Sequence, residues 1–550
     1  MDPFDILSAL KDMQQSWKDR PLELARRQAD LALKLQEATL EELKEFLSVG
    51  KSETGSEPGR PDVLDALKSA GQIARRHHAV YQGWIRELIA QSPGLEGRQR
   101  ERMLFWTRQV INGLSPSNYF WTNFSAVKRF LESNGESLAK GLKAFAEDLL
   151  DGRPLMRMAD TRAFRVGRDI AATPGAVIFR NDLMELIQYE PTTRATYPVP
   201  VVFIQPWINK FYIFDLTAPM SFVRYLLDKG FTVFMISWKN PDAGMRNVTF
   251  EDYMLRGALR AVRIASSVCR GAPVHAAGYC IGGTALSALM AWLNREPPQG
   301  SQPFPVADWS LFSTLVDFSE PGDIGFFVTR QSVEWLEAAM RTQGYLSETY
   351  LELAFRLLGS DSLIWRNFTN SLLYGMPPPK SDLLFWNSDS TRLPAAMCSF
   401  YLREFYLNNR LVRKDSLVLG GRPIDLECIK QPLYAVGAQI DHICPWKGTF
   451  KVCDKVASPV RYVLSSEGHI TGIVNPPSEV SKRKYWAGEA RGAEDSDQWL
   501  GRQQEKRGSW WDDWAQWLAS RSCSPGEPPA MGSPRHPPLE RAPGRYVLED

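Results

Sequence analysis

The stretch PVHAAGYCIGGTALSALMAWLNRE, residues 273–296, decides how the rest of the chain is interpreted. Its first five residues have the short apolar pattern of a buried β-strand, and the part from Thr284 onward has the apolar spacing of a helix. Between these parts Gly278 and Gly282 flank Cys280, and glycines there allow a strand and a helix to approach each other around a tight turn. The stretch therefore predicts a strand, a sharp turn that carries Cys280, and a helix.

A cysteine at this turn is informative, because the strand–turn–helix of α/β-hydrolases carries a nucleophilic serine at the same place, in the pattern G-x-S-x-G. A thiol in place of the serine favours thioester chemistry, since a thiolate that attacks a thioester exchanges one thioester for another at nearly equal energy. The plain alternative is a structural cysteine, because free cysteines are often buried as small apolar side chains.

An acid and a histidine follow Cys280 in the order nucleophile, acid, histidine that α/β-hydrolases use. The run PLYAVGAQIDHICPW, residues 432–446, reads as a core strand with Asp441 at its carboxyl end, where open α/β sheets bind their ligands. The run VRYVLSSEGHITGIVNPP, residues 460–477, reads as a strand followed by a polar loop that carries His469. We therefore predict a triad of Cys280, Asp441 and His469.

Other histidines compete for the role of the base, because the chain has six. Four of them occur in a charged helix, inside the strand before Cys280 or in a Pro-rich tail, where structural or solvated roles are expected: His77, His78, His275 and His536. His442 adjoins Asp441 and could act as the base or as a hydrogen-bonding residue of the second shell. We prefer His469, since a base on its own loop can reach over the turn while Asp441 orients it.

Further motifs resemble those of the polyhydroxyalkanoate synthases, the poly(3-hydroxyalkanoate) polymerases of bacteria. The resemblance covers roughly residues 118–517 and includes GESLAKGL at 135–142, PWINKFYIFDL at 206–216, TLVDFSEPGDIG at 314–325, FWNSDSTRLP at 385–394, DHICPW at 441–446 and GHITGIVNPP at 468–477. The family's catalytic triad matches Cys280, Asp441 and His469. The GYCIGG turn resembles that of the synthases for short-chain monomers.

The resemblance implies an acyltransferase that polymerises (R)-3-hydroxyacyl-CoA, such as 3-hydroxybutyryl-CoA, into a polyester and releases CoA through an acyl-cysteine intermediate. It also implies a homodimer that acts at the surface of polyhydroxyalkanoate granules in the cytoplasm. Coenzyme A is part of the substrate and a product, so no separate cofactor and no metal is expected. Two alternatives remain: a thioesterase or polyester hydrolase of the same fold, and a non-catalytic partner bound to granules.

The oxyanion of the reaction needs backbone N–H donors, and the residue after the nucleophile supplies one in this fold. We expect the N–H of Ile281, together with that of Trp207 or Ile208 after the first core strand. Two positions depart from the family's pattern. Cys444 stands in DHI-x-PW where Val, Thr or Ser is usual, and the SSEGH run before His469 differs from the more frequent SGH.

Composition and charge agree with a globular enzyme. The chain has 550 residues, 44% hydrophobic and 23% charged, and a formal net charge of +2, which gives no reason to expect nucleic acid as a partner. No run of 18 or more apolar residues predicts a membrane span, and the first residues lack a secretion signal, so we expect a cytoplasmic protein that is not integral to a membrane. The seven cysteines show no CxxC pair and are expected as free thiols.

The fold expected is an α/β-hydrolase with a cap insertion, preceded by an all-helical region. The helical region spans residues 1–190 with a flexible linker near 50–62, and the catalytic domain spans 191–520 with an aromatic-rich cap at about 318–430. The tryptophans of SWWDDWAQWL, residues 509–518, are expected to dock on the domain. The Pro-rich tail 521–550 is expected to be disordered.

Overall fold

A computed structural model of the chain describes residues 6–48, 63–95, 97–153, 155–295, 304–490 and 495–549. The linker predicted at 50–62 lies outside the described residues. The chain divides into two compact units. The first comprises the described part of Met1–Asp160 together with Leu353–Lys380, and the second comprises Thr161–Glu352 and Ser381–Asp550.

The second unit is built on a sheet that has eleven strands among the described residues. In chain order, β1 to β11 are Gly175–Arg180, Met184–Tyr189, Val201–Ile204, Val233–Trp238, Val274–Tyr279, Val306–Phe312, Leu433–Ala438, Val460–Ser465, Lys484–Ala490, Lys506–Arg507 and Glu540–Arg541. Their spatial order is β10-β9-β8-β7-β6-β5-β3-β4-β2-β1-β11.

The order 1-2-4-3-5-6-7-8 of the first eight strands is that of the α/β-hydrolase fold, so the predicted fold class is confirmed. Strands β4, β3, β5, β6, β7 and β8 pair in parallel, while β2 runs antiparallel to both of its neighbours. All residues of β3, β4, β5 and β7 are buried, because helices cover both faces of the parallel strands. The carboxyl ends of these parallel strands meet at one edge of the sheet.

The α-helices alternate with these strands and also fill the regions before and between them. In chain order, α1 to α18 are Ile6–Lys18, Pro21–Ser48, Val63–Ala90, Gly97–Gly113, Phe124–Glu132, Glu136–Leu150, Phe222–Asp228, Phe250–Asp252, Arg260–Val268, Ile281–Arg295, Arg330–Gln343, Glu348–Leu358, Arg366–Phe368, Asp382–Ser388, Ala395–Phe400, Trp446–Phe450, Ser496–Gly501 and Trp511–Ala519. Four π-helical segments are continuous with some of these helices: Tyr253–Leu259, Asp361–Trp365, Thr369–Leu373 and Tyr401–Leu407.

The segment between β6 and β7 is a helical insertion that corresponds to the cap predicted at about 318–430. Two short antiparallel ladders lie within it, Tyr345–Leu346 with Leu393–Pro394 and Val418–Leu419 with Arg422–Pro423. The middle of the insertion, Leu353–Lys380, groups with the N-terminal helices and not with the second unit. The insertion is therefore divided between the two units.

The boundary of the helical region at residue 190 is wrong, because β1 and β2 precede it. Both strands belong to the main sheet, where β2 pairs with β4 from Met184 opposite Trp238 to Gln188 opposite Phe234. Every residue of β2 is buried, so its side chains are packed on both faces of the sheet. The helical part of the chain before the sheet ends at Leu150 among the described residues.

The prediction of a disordered tail is also wrong for the described residues up to 549. Strand β11 pairs with β1, and the N–H of Leu539 donates to the carbonyl of Val177 at 2.7 Å. The buried carboxylate of Glu185 accepts the backbone N–H of Tyr546 at 3.1 Å and that of Arg545 at 3.1 Å. The tail is thus ordered by hydrogen bonds to β1 and β2, which its Pro-rich composition does not reveal.

The tryptophan-rich helix α18 docks on the sheet, as predicted. Trp510, Trp511 and Trp514 are fully buried, and the ring of Trp511 stacks on Phe222 with centroids 4.0 Å apart. Among the described residues, none of the helices combines the length and the apolar character required to span a bilayer.

Candidate active site

Cys280 lies on the sharp turn between β5 and α10. Its φ is +51°, a left-handed conformation that L-residues rarely adopt, and its N–H donates to the carbonyl of Phe312 at 3.0 Å. A Cβ on Gly278 would lie 2.5 Å from the Cα of Gly283, and one on Gly282 would lie 2.2 Å from the carbonyl oxygen of Ile204. The glycines on either side are therefore needed for the turn that exposes the thiol at the edge of the sheet.

Asp441 and His469 lie on the loops after β7 and β8 and form a hydrogen-bonded pair. The distance from Nδ1 of His469 to Oδ2 of Asp441 is 2.7 Å, and the side chains are 9% and 0% exposed. The other carboxylate oxygen of Asp441 accepts the N–H of Ile443 and of Cys444, both at 2.8 Å. The imidazole also stacks on the ring of Tyr279 with centroids 5.3 Å apart. Asp441 thus fixes the orientation of the ring and leaves Nε2 for another partner.

The partner of Nε2 is Cys280, and the thiol of Cys444 lies next to both Cys280 and His469. The sulfurs of Cys280 and Cys444 and a ring nitrogen of His469 all lie within 4.8 Å of one another. The pKa of Cys280 is lowered to about 5, first by the hydrogen bond from the Cys444 thiol and then by the charge and hydrogen bond of His469. Burial lowers the pKa of His469, but the carboxylate of Asp441 and the sulfur of Cys280 raise it to about 10 overall. The geometry favours a thiolate–imidazolium pair at neutral pH.

Cys444 contributes the donor in the bond between the two thiols. The pKa of Cys444 is raised well above its ordinary value, first by its hydrogen bond to Cys280 and then by burial, although the N–H of Leu315 donates to its sulfur. It therefore stays protonated where Cys280 is a thiolate. The sequence marked Cys444 as a departure and as close to the acid, but it did not predict the contact with Cys280.

The expected oxyanion donors lie around the same turn. Ile281 begins α10, and its N–H points to the sulfur of Cys280, whose pKa it lowers. Trp207 and Ile208 follow β3, and their carbonyl oxygens accept the side-chain O–H and backbone N–H of Thr391 at 2.8 and 3.2 Å. Among the described residues, neither the amide N–H of Trp207 nor that of Ile208 has a backbone acceptor. Both amides therefore remain candidates for the second donor.

His442 does not join the site. Its side chain is exposed, and it makes no side-chain hydrogen bond among the residues that the structure describes. The Asp441 carboxylate accepts the N–H groups of Ile443 and Cys444, so the chain turns tightly after Asp441. This turn directs the side chain of His442 outward. The interpretation of His442 as the base, or as a side chain that hydrogen-bonds to the site, is thus corrected. Only its backbone carbonyl has a partner among the described residues, the N–H of Asp323 at 2.8 Å.

His275 takes part in a different network at the other end of β5. Its Nδ1 lies 2.9 Å from both oxygens of Asp308, and its Nε2 lies 3.0 Å from the hydroxyl of Ser522. Cys280 is five positions after His275 along the strand, which is about 16 Å at ordinary strand rise. This agrees with the structural role expected for His275.

An aromatic cluster from the insertion, which the sequence predicted as a cap, adjoins the two sulfurs. Burial raises the pKa of Tyr401 well above its ordinary value, with further contributions from Tyr406, Cys280 and Cys444. The ring of Phe318 lies 5.9 Å from that of Tyr401 and 5.0 Å from that of Tyr406. The aromatic composition of residues 318–430 was the available signal, but it did not single out these three rings.

Comparison with known proteins gives one family and several relatives. The family model described as "Poly-beta-hydroxybutyrate polymerase (PhaC) N-terminus" matches residues 68–226. The chain is 39% identical to the "Poly(3-hydroxyalkanoate) polymerase subunit PhaC" of Rhizobium meliloti (strain 1021) over 475 residues, which is 86% of this chain and 76% of that protein. It is 33% identical to "Poly(3-hydroxyalkanoate) polymerase 2" of Ectopseudomonas oleovorans over 549 residues, 99% of this chain and 94% of that one.

Among solved structures, the chain is similar to a monoacylglycerol lipase of Paleococcus ferrophilus. The TM-score is 0.33 and the sequence identity 12%, over 62% of this chain and 99% of the lipase.

Proposed function

This chain belongs to the poly(3-hydroxyalkanoate) polymerase family, and we propose that it builds its polyester from (R)-3-hydroxyacyl-CoA through a covalent acyl thioester on Cys280. The observation that carries the proposal is the contact of Cys280 with the His469–Asp441 pair, in which the Nδ1 to Oδ2 distance is 2.7 Å. Proximity to an imidazolium is what makes a thiol nucleophilic at neutral pH.

In the first half-reaction the Cys280 thiolate attacks the thioester carbonyl and the CoA thiolate leaves. The imidazolium of His469 is the source of the proton that CoA takes up. The N–H of Ile281 and one amide of the segment at Trp207 and Ile208 stabilise the negative oxygen of the tetrahedral intermediate, and loss of one such donor typically costs about a hundredfold or more in rate.

In the second half-reaction a hydroxyl of a 3-hydroxyacyl group attacks the acyl-Cys280 thioester. Neutral His469 takes the hydroxyl proton, and Asp441, which holds the ring and stabilises its charged form, also helps to activate that hydroxyl. The new ester forms as the bond to sulfur breaks and Cys280 leaves as a thiolate. Phe318, Tyr401 and Tyr406 next to the sulfurs favour an acyl chain over water, since apolar rings desolvate the site. Exclusion of water distinguishes a polymerase from a thioesterase with the same triad.

Short-chain monomers, a homodimer and attachment to polymer granules complete the proposal. The GYCIGG turn supports the short-chain substrate, and membership of the family supports the homodimer and the attachment to granules. Comparing CoA release from 3-hydroxybutyryl-CoA and from longer 3-hydroxyacyl-CoA while particle size is followed tests the first and the third, and a preference for the longer substrates would contradict the first.

The central test of the proposal is detection of an acyl group bound to Cys280. Incubation with 3-hydroxybutyryl-CoA and rapid acid quench should give a 3-hydroxybutyryl adduct on the peptide that contains Cys280, seen by mass spectrometry. Cys280→Ser should show no thioester adduct. An unlabelled Cys280 during turnover, or an adduct on Cys444 alone, would contradict the proposal.

A companion variant separates the two half-reactions. Asp441→Asn should slow turnover strongly while acylation of Cys280 partly survives, because His469 and Cys280 are still present. Complete loss of acylation in a correctly folded variant would oppose the role given to Asp441. Insoluble polymer, rather than free hydroxy acid, should accompany CoA release in the unmodified protein.

A further inference from the structure

Cys280, Cys444 and His469 place three donors that thiophilic metals prefer around one point. We propose that these residues form a site for Zn²⁺, and that the bound ion blocks the nucleophile. The ion acts in this proposal as an inhibitor and not as a cofactor. Sulfur and imidazole nitrogen are the ligands of most protein zinc sites, and a set of two cysteines and one histidine with an open fourth position is a known arrangement.

The geometry of the three donors supports a common ion. All three atoms lie within 4.8 Å of one another. Zinc bonds of about 2.3 Å to sulfur and 2.0–2.1 Å to nitrogen in a tetrahedron require donor separations of roughly 3.3–3.8 Å. Side-chain rotation can supply a change of about an ångström, without movement of the strands that carry the loops.

Three separate elements of the second unit hold the donors. Cys280 is on the turn after β5, Cys444 is on the loop after β7, and His469 is on the loop after β8. The position of Cys444 is fixed by its N–H bond to Asp441 at 2.8 Å. Such support from the fold makes the arrangement a site rather than a chance contact between flexible side chains.

The surroundings of the donors also suit a cation. Nδ1 of His469 is hydrogen-bonded to Asp441 at 2.7 Å, which leaves Nε2 as the ligand atom and reproduces the carboxylate–histidine–zinc arrangement. Two thiolates and one nearby carboxylate provide the negative charge that a divalent ion requires.

Proton balance gives the proposal a signature that does not depend on activity. Coordination requires two thiolates and a neutral imidazole, so binding of Zn²⁺ releases the protons that these groups carry. The lone pair with which Cys280 would attack the thioester is then used in the bond to the metal. Only this inhibitory consequence rests on the proposed function.

The test is a titration of the full-length protein, kept reduced with a phosphine, with Zn²⁺ in the presence of a chromophoric competitor. We expect one tight equivalent, and Cd²⁺ in its place should give a thiolate charge-transfer band with the intensity of two sulfurs. Cys444→Ser should weaken binding by about 100-fold or more. Asp441→Asn should weaken it by about 10- to 100-fold, as does the loss of residues that hydrogen-bond to the ligands in other zinc sites.

Cys523→Ser is the matched control, because it also removes one thiol, an exposed one. It should retain the tight equivalent. Cys444→Val is a second variant in case the serine variant does not fold, and it should lose the site as well. Equal affinity of the Cys444 variants and the unmodified protein would overturn the proposal, and so would the absence of any stoichiometric binding by the unmodified protein.

Inhibition is measured separately, by CoA release with and without Zn²⁺. The proposed function can fail while the metal still binds, and the metal site can fail while polymer still forms. If Zn²⁺ binds with one equivalent, yet CoA release is unaffected at saturation, the blocking role of the ion is contradicted.

Discussion

The charge on Cys280 depends on two neighbours that lie far from it in the sequence. The thiol of Cys444 donates to its sulfur, and the imidazolium of His469 lies beside it, so that its pKa falls to about 5 while that of His469 rises to about 10. In contrast, burial raises the pKa of Cys269 and of Cys398 to about 12, and these thiols are expected to be unreactive.

The first prediction is a pH profile for Cys280. Alkylation by iodoacetamide, followed by mass spectrometry of the Cys280 peptide, should rise with a midpoint near pH 5 because the thiolate forms there. The value of kcat/KM for CoA release should fall below about pH 5, where the thiolate takes up a proton, and above about pH 10, where His469 loses one. An alkylation midpoint near 8.5, the ordinary value for cysteine, would contradict the ion pair.

Cys444 supplies the control for this profile. Cys444→Ala removes the donor to the thiolate and should raise the alkylation midpoint by roughly one to two pH units, since a hydrogen bond to a charged group contributes about 1.5–3 kcal/mol. Cys444→Ser retains a donor and should keep most of the low midpoint. Equal midpoints for the two variants would show that the donor has no effect.

At the scale of the element, the sequence predicted the strands, helices and turns that are determined by residues adjacent in the chain. The turn at Cys280 was predictable because its glycines, strand and helix are adjacent, and the order of Asp441 and His469 followed from the fold. β1 and β2 were missed because the helical pattern before them was extended to residue 190. The tail was misassigned because proline content predicts disorder, whereas its order comes from the distant carboxylate of Glu185. The contact between Cys280 and Cys444 was likewise invisible, since it joins loops 164 residues apart.

The second prediction concerns this tail. A chain that ends at Pro538 loses β11 and the two N–H donors to Glu185, which is fully buried on β2. Glu185 keeps its ion pair with Arg180, but each lost hydrogen bond to its carboxylate contributes about 1.5–3 kcal/mol, so the unfolding free energy should fall by at least about 1.5 kcal/mol in urea titrations. The exposed edge of β1 should also promote association as the protein concentration rises.

Tyr546→Phe is the matched control for the truncation. It removes only the phenol hydrogen bond to the carbonyl of Asn181, which is 2.6 Å long, and keeps the backbone donors to Glu185. Its cost should be about 1 kcal/mol. A truncated chain that is as stable and as monomeric as the full chain would mean that the tail does not support the sheet.

At the scale of the whole molecule, the chain does not divide into units in sequence order. The first unit takes its helices from the described residues before 160 and from Leu353–Lys380, which lies about 200 residues later. Arg356 donates to the carbonyl of Met156 at 2.7 Å, and Asn367 donates to the carbonyls of Met156 and Arg157 at 3.2 and 3.1 Å. A deletion of the residues before 160 would therefore also remove the partners of a segment inside the insertion.

The last prediction tests this discontinuous packing. Gly141 on α6 faces the segment Thr369–Leu373, and a Cβ there would lie 1.9 Å from the carbonyl oxygen of Leu372. Because a backbone atom cannot move aside cheaply, Gly141→Ala should destabilise the first unit by roughly 1–3 kcal/mol despite the higher helix propensity of alanine. The measurement is chemical denaturation followed by circular dichroism, together with proteolysis of the segment.

Gly83→Ala provides the opposite case on α3. Gly83 is exposed inside a long helix, and a Cβ there would meet nothing within 4 Å, so this substitution should stabilise the unit by up to about 1 kcal/mol. The two variants make the same chemical change on helices of one unit and should differ in sign. If Gly141→Ala were also stabilising, α6 and the Leu353–Lys380 segment would not be in contact.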